Sequence, residues 1–361
     1  MQTKSILKNF SWSFFFTIVG FIIAGWWGHN HGISVWHAIY IIVILAIMEI
    51  SLSFDNAVVN ATKLQEMSIF WRKIFLYFGI WVAVFGMRFY FPIEIVAVTT
   101  DKTFMQVLDL ALNNPKEYSA LLTKHHGEIA FFGGAFLFMV FFEFIFSEKD
   151  HYWLGKIEQK LSLLEDKKLI GPVCAFVVVA VFSRFVSEDV QTVCFIAGIY
   201  GIFLHMAVNL LGDMFDDGSE GGEVTKRVLK TGMAGFAGVM YLEVLDASFS
   251  FDGVMGAFAI TNDVVLIMIG LAIGAFYVRS FTMAIVESNA LTTFRYLEHG
   301  AHYAIGILAL IMFISTLQHL PEWIPGLAGV AFIAVSIYSS IKEKRREDKA
   351  ALNKIEENKN I

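Results

Sequence analysis

Glu49-Ile-Ser-Leu-Ser-Phe-Asp55 and Asp246-Ala-Ser-Phe-Ser-Phe-Asp252 are the two stretches on which the reading of this chain turns. Five of their seven positions hold the same residue or an Asp/Glu exchange: Glu49/Asp246, Ser51/Ser248, Ser53/Ser250, Phe54/Phe251 and Asp55/Asp252. Each stretch sits inside an apolar run long enough to cross a bilayer. A carboxylate at bilayer depth costs about 2.5–3.5 kcal/mol on insertion scales, so acids kept there point to function. One such motif in each half of a chain is the pattern of a duplicated transporter whose site takes a half from each repeat.

The surrounding composition agrees. Of 361 residues, 57% are hydrophobic and only 17% charged, which predicts an integral membrane protein. The apolar runs are too long for barrel strands, so the expected fold is an all-α polytopic bundle. Ten spans are predicted, near 10–28, 36–60, 71–92, 128–146, 170–187, 193–212, 232–260, 264–287, 301–317 and 324–341. With the N-terminus in the cytoplasm, the cytoplasmic segments hold 21 of the 27 basic residues. External segments hold three, all in one long loop, 93–127. That asymmetry satisfies the positive-inside rule and predicts a multi-pass protein of the plasma (inner) membrane with both termini cytoplasmic. The run from Phe10 to Trp27 reads as an uncleaved first span rather than a signal peptide. A net charge of −6 and the lack of a basic stripe outside the tail argue against a nucleic-acid partner. Cys174 and Cys194 lie in apolar segments, and no disulfide framework is expected. Oligomeric state is not legible.

Further landmarks repeat in order. Gly79 and Gly270 each precede an arginine, Arg88 and Arg279, by nine residues. His126-Gly127 and His299-Gly300 each lead into a span with a glycine seven residues after the histidine, Gly133 and Gly306. Spans 2–3–4 therefore match spans 7–8–9, and an offset of five spans gives the halves opposite orientation. The expected organisation is a first repeat half at 1–187, a second at 193–341 and a charged cytoplasmic tail at 342–361. Segment 148–168 is expected to form an interfacial helix, and 213–223 an acidic, glycine-containing linker.

On a straight helix Glu49, Ser53, Asn56 and Asn60 share one face, as do Asp246, Ser250, Gly253 and Ala257, with Glu243 joining the second. Asp55 and Asp252 lie about 240° round from the first acid. Either both faces are packed in protein, or the helix unwinds near Ser-Phe-Asp; Gly253 and Gly256 favour a break in the second copy. If the acids only locked helices, Asp55 would pair with Arg88 and Asp252 with Arg279, which leaves Glu49, Glu243 and Asp246 unpaired; a purely structural role is therefore not the expected one. With every acid ionised, Glu49, Asp55, Glu243, Asp246 and Asp252 outnumber the two arginines, an excess that protons or a cation must neutralise. Carboxylate, hydroxyl and amide oxygens suit a hard divalent ion, Mn²⁺, Ca²⁺ or Mg²⁺. The candidate metal ligands are Glu49, Asp55, Asn56, Asp246 and Asp252, supported by Ser51, Ser53, Ser248, Ser250, Glu243, Arg88 and Arg279. Met48 and Met255 flank the motif and are expected to pack. His205, Asn209 and Asp213 form a polar stripe on span 6, either an exit path or a hydrogen-bonded seam, and Glu143 is a lone acid in span 4.

The Glu-x-x-x-Ser-x-Asp-Asn motif at Glu49 to Asn56, its second copy ending at Asp252 and the arginine-ended third span resemble the TerC family of tellurium-resistance-associated membrane proteins. That family lies within a larger group that includes lysine exporters. The resemblance covers roughly residues 36–317. It implies a role in metal-ion homeostasis, chiefly Mn²⁺ export, and gives Glu49, Asp55, Asn56, Asp246 and Asp252 the ion-site role. The chain departs from the pattern in Gly253, which stands where the first copy has Asn56, and in an extra sixth span. The expected function is secondary transport of a divalent cation, with the ion (Mn²⁺ or Ca²⁺) as substrate and no permanently bound cofactor. The alternatives are export of a cationic amino acid or of a tellurite-related species, or a non-transporting membrane partner of stress proteins. No Gly-x-Gly-Asp accompanies either aspartate, so an enzyme is not expected.

Overall fold

The computed structural model describes residues 9–165, 169–215, 229–318, 320–321 and 323–359. Among them the chain is helical almost throughout. The helices are α1 (Ser11–Asn30), α2 (Val35–Leu52), α3 (Phe54–Gln65), α4 (Ile69–Thr99), α5 (Phe104–Asn113), α6 (Pro115–Lys124), α7 (His126–Phe146) and α8 (Lys156–Ser162). There follow α9 (Ile170–Ser183), α10 (Glu188–Phe215), α11 (Gly232–Ile260), α12 (Val264–Glu287), α13 (Ala290–Thr293), α14 (Leu297–Ser315) and α15 (Trp323–Lys359).

Eight described helices are long and apolar enough to cross a membrane: α1, α2, α4, α7, α10, α12, α14 and α15. The other two predicted spans coincide with α9, which is apolar but only 14 residues long, and α11, which has 29 residues and carries the second acidic motif. Large apolar side chains such as Trp12, Ile22, Trp36, Phe78 and Phe176 stand exposed on these helices. On a helical bundle of this hydropathy they mark the lipid-facing surface, and the chain is a multi-pass membrane protein.

Two apolar clusters fill the interior. One joins the start of α2 (Ala38 to Ala46), the end of α11 (Phe251 to Ala257) and the start of α12. The other joins α3 (Val58 to Leu64), the middle of α11 (Val239 to Phe249), α7 and α14. The second predicted span thus runs from the first cluster into the second, and α11 runs the opposite way. The acidic motifs lie where the clusters meet.

Local chemistry sets the ends. Asp263 caps α12 by accepting from the backbone N–H of Val265 and Leu266 at 3.0 and 3.1 Å, and its other oxygen accepts from the Trp27 indole at 2.9 Å, tying α1 to α12. The predicted external loop 93–127 is not a loop. The third span continues to Thr99, and α5 and α6 follow, α5 starting from a Thr103–Gln106 capping box. Val107, Ala111, Tyr118 and Leu122 dock these two amphipathic helices on the first cluster. Segment 148–168 contains the short helix α8, whose Glu158 is wholly buried and bonded to the Tyr303 hydroxyl. The acidic linker lies outside the described residues from Asp216 onward.

Close packing at α12 allows a direct check. A Cβ at Gly274 would lie 2.5 Å from Glu49 Cβ and 3.0 Å from the Ala46 carbonyl oxygen, whereas one at Gly212 meets open space. Gly274→Ala should therefore lower stability by about 1–3 kcal/mol through overpacking. Gly212→Ala should stay within about 0.5 kcal/mol of wild type. Thermal unfolding of the two variants in detergent checks the difference.

Candidate cation site

The first motif breaks and the second does not. Ser53, with φ −110° and ψ 13°, separates α2 from α3. The Ser53 N–H still bonds the Glu49 carbonyl at 3.0 Å, and the Ala57 N–H bonds the Ser53 carbonyl at 3.1 Å, so the span kinks rather than unwinds. Helix α11 continues unbroken past Gly253 and Gly256, contrary to the expectation of a break there. Those glycines serve close approach instead. A Cβ at Gly253 would lie 2.8 Å from Glu49 Oε2, so an asparagine at that position, matching Asn56, would collide with the acid.

The two helices cross antiparallel, with matched register. Glu49 faces Gly253; seven residues on, Asn56 faces Asp246, its Nδ2 donating to Asp246 Oδ1 at 2.8 Å. Each motif's leading acid therefore meets the other motif's eighth residue. Ser53 donates to Glu49 Oε1 at 3.1 Å, completing the polar stripe predicted on the first helix.

Arg88 pairs with Glu49 and not with Asp55, the partner that a purely helix-locking role would give it. Arg88 Nη2 bonds Glu49 directly, and its Nη1 donates to the Ala83 carbonyl at 2.7 Å. Arg279 Nη2 donates to Glu243 at 3.2 Å and stands 3.9 Å from Asp246, while its guanidinium lies 3.5 Å over the Phe75 ring. Asp55 joins no ion pair among the described residues. The kink carries it to the last span, where Gly329 leaves room beside its carboxyl group, and Ser51 likewise lies against Gly326. Asp252 lies in α11, and its side chain lies outside the described residues. Ser248 is turned back to its own helix, donating to the Val244 carbonyl at 3.1 Å. Met48 and Met255 pack in the first apolar cluster.

The span that delivers Arg88 departs from regular α-helix. Phe75–Gly79 and Val82–Tyr90 are π-helical, a widening common at functional sites. Gly79, the last residue of the first π-helical segment, lies against Glu243, and Gly274 of α12 lies against Glu49. Each arginine-bearing helix thus supplies a glycine to the acid of the opposite motif. Gly270, which the sequence pairs with Gly79, lies instead against Leu45.

Three buried carboxyl groups (Glu49, Glu243, Asp246) meet two buried guanidiniums at the crossing, and a fourth, Asp55, is buried beyond the kink. Several buried atoms here have no protein hydrogen-bond partner: Glu49 Oε2, Glu243 Oε2, Asn56 Oδ1, Asn60 Oδ1, Ser250 Oγ and Arg88 Nε. All but the last two are pure acceptors, so the cluster is short of positive charge and of donors. Among the described residues no three His, Cys, Asp or Glu side chains form a ready metal cage. A cation here would draw on mixed carboxylate and amide oxygens.

Residues 54–347 match the family described as "Protein of unknown function (DUF475)". The chain belongs to the DUF475 family. The part shared with DUF475 begins within the first motif, after Glu49 and Ser53, and takes in Asp55, Asn56, both arginines and the whole second motif. No curated protein and no solved structure matches the chain.

Removing one member of a buried charge pair leaves the other uncompensated, at about 3–5 kcal/mol, whereas replacing both with apolar residues is far less damaging. Arg88→Met should therefore lower stability sharply, and Glu49→Leu/Arg88→Met should recover a large part of the loss. A double-mutant cycle on thermal unfolding in detergent checks this; additive single effects would contradict a direct pair.

Proposed function

We propose that the chain is a secondary transporter of a divalent cation, with Mn²⁺ efflux the leading form. The observation that carries the reading is the crossing of α2–α3 with α11: buried carboxyls exceed guanidiniums there, and the orphaned atoms are mainly oxygen acceptors. At the crossing itself three acids face two arginines; with Asp55 beyond the kink also ionised the excess is two, which a divalent cation would balance and two protons would balance equally. That equivalence is the physical basis for proton coupling. The resemblance of the motifs to the TerC family supports the same reading.

In this proposal the inverted repeat arises from duplication, supported by the antiparallel crossing of the two motifs. The described conformation is a closed one, with Arg88 on Glu49 and Arg279 on Glu243. Cation entry would shift the arginines from the acids, and Asn56 and Asn60 would add amide oxygens. The kink at Ser53 supplies a hinge on one helix, while unbroken α11 stays rigid. On this reading the protein lies in the plasma membrane with both termini cytoplasmic, an orientation that the positive-inside distribution supports. A cationic amino acid is the second reading, favoured because the site already accommodates two guanidinium groups.

Purified protein in liposomes should move Mn²⁺, and Asp246→Asn and Glu49→Gln should abolish the flux while Ser248→Ala leaves it intact. Excess lysine should not compete; competition would transfer the assignment to cationic amino acids. Absence of any divalent flux from folded wild-type protein would sink the proposal.

A further inference from the structure

A cavity of about 820 Å³ lies apart from the crossing. It opens between α7, α10 and α11, beside the end of α3, and its lining includes Lys63, Glu143, His205, Asn209, Asp213 and Tyr241. In the sequence Glu143 was a lone acid, and His205, Asn209 and Asp213 a separate stripe. The fold brings them together.

His205 is only 2% exposed, yet neither ring nitrogen has an aligned hydrogen-bond partner. Its Nε2 stands 3.2 Å from Glu143 Oε2, and the Asn209 side-chain amide donates to that same oxygen at 3.0 Å. Glu143 keeps 43% of its side chain exposed, toward the cavity. These separations have a chemical meaning. Ligands held about 2.1 Å from a metal at adjacent octahedral positions lie about 3 Å from one another. Rotating the Asn209 amide by a half-turn would present its oxygen in place of its nitrogen, an assignment that hydrogen bonding alone decides. One imidazole nitrogen, one carboxylate oxygen and one amide oxygen would then converge in the cavity wall, the imidazole on its buried side.

The donor set selects the ion. An imidazole with oxygen ligands favours first-row transition metals over Ca²⁺ and Mg²⁺, which prefer oxygen alone. The local charges permit it. Lys230 is engaged with Glu66 at 3.6 Å, and Lys63 lies over the Tyr241 ring at 5.4 Å, leaving Asp213 as a further carboxylate in the lining. Lys63 is the resident cation with which an arriving metal competes.

We infer that His205, Glu143 and Asn209 form a docking station for a divalent transition-metal ion, distinct from the acidic crossing. With only three protein donors, it is an open and exchangeable site. Its role in loading cargo rests on the transport reading above; its capacity to bind metal does not.

The test uses the full chain in detergent, with Mn²⁺ as the probe and pulsed electron paramagnetic resonance as the readout. Bound Mn²⁺ should show coupling to an imidazole ¹⁴N in wild type and in Glu49→Gln. His205→Gln should lose that coupling, and Glu143→Gln should weaken the nitrogen-coupled binding by about tenfold or more. If His205→Gln fails to fold, Glu143→Gln decides. Mn²⁺ bound without nitrogen coupling, coupling that persists in folded His205→Gln, or unweakened binding in Glu143→Gln would each overturn the station. Liposome flux without nitrogen coupling overturns the station and spares the transport reading. Nitrogen-coupled binding without flux does the reverse.

Discussion

The antiparallel crossing of α2–α3 with α11 is the constraint around which the rest of the bundle is arranged. Both helices bring carboxyl groups to the junction of the two apolar clusters, where each charge must be matched or neutralised. The match comes from neighbouring helices. Helix α4 brings Arg88 to Glu49, and α12 brings Arg279 to Glu243 and close to Asp246. To reach those positions the arginine-bearing helices pack against the opposite acids through Gly79 and Gly274. A change in one pair is therefore felt by four helices, and α12 and α4 are positioned by polar pairing as much as by apolar burial. Because a buried ion pair is weak evidence for net stability, retaining two in one place points to specificity or function rather than to strength.

Much of this was legible in the sequence, and the part that was not has a definite physical origin. Hydropathy located the helices because lipid demands long apolar runs, and α11 was found despite its acids because its flanks are apolar. The polar stripe of Glu49, Ser53 and Asn56 followed from helical spacing and meets Asp246 as that spacing requires. Pairing did not follow. A helix-locking role would pair Asp55 with Arg88, but a kink of one residue at Ser53 turned it to the last span. Gly253 seemed a helix breaker, but it is the surface against which Glu49 packs. Both differences concern contacts between helices distant in sequence, and intrahelical spacing carries no information about which neighbour lies opposite. Glu158, buried under α14 by a seven-residue helix, gave no signal at all because its local sequence is charged like a surface.

The excess of carboxyls makes the described arrangement one member of a set rather than a fixed scaffold. Buried acceptors such as Glu49 Oε2 and Asn56 Oδ1 lie beside groups that are already paired. A site built only to lock helices would satisfy them within the protein, as the Ser53 and Asn56 hydrogen bonds satisfy their neighbours. Leaving them open makes the cluster responsive to whatever supplies positive charge. The arginines supply part of it internally, so on the transport reading an external cation would compete with them and be released when they return. Competition of this kind gives reversible binding without a metal cage, consistent with the lack of a group of three strong ligands among the described residues.

The crossing and the cavity are joined by the same two helices. Along α3, Asn56 bonds Asp246, the orphaned Asn60 stands one turn further on, and Lys63 lines the cavity. Along α11, Asp246 and Glu243 lie in the crossing and Tyr241 lies in the cavity lining. An asparagine oxygen without a partner, set between a carboxylate cluster and a cavity with its own carboxylates, is a costly residue to bury unless something passes it. On the transport reading Lys63, over Tyr241 and at the cavity end of that series, is the charge that a cation arriving at His205 and Glu143 would repel. On the transport reading the two polar regions are therefore successive stations, and α3 is the element that senses both.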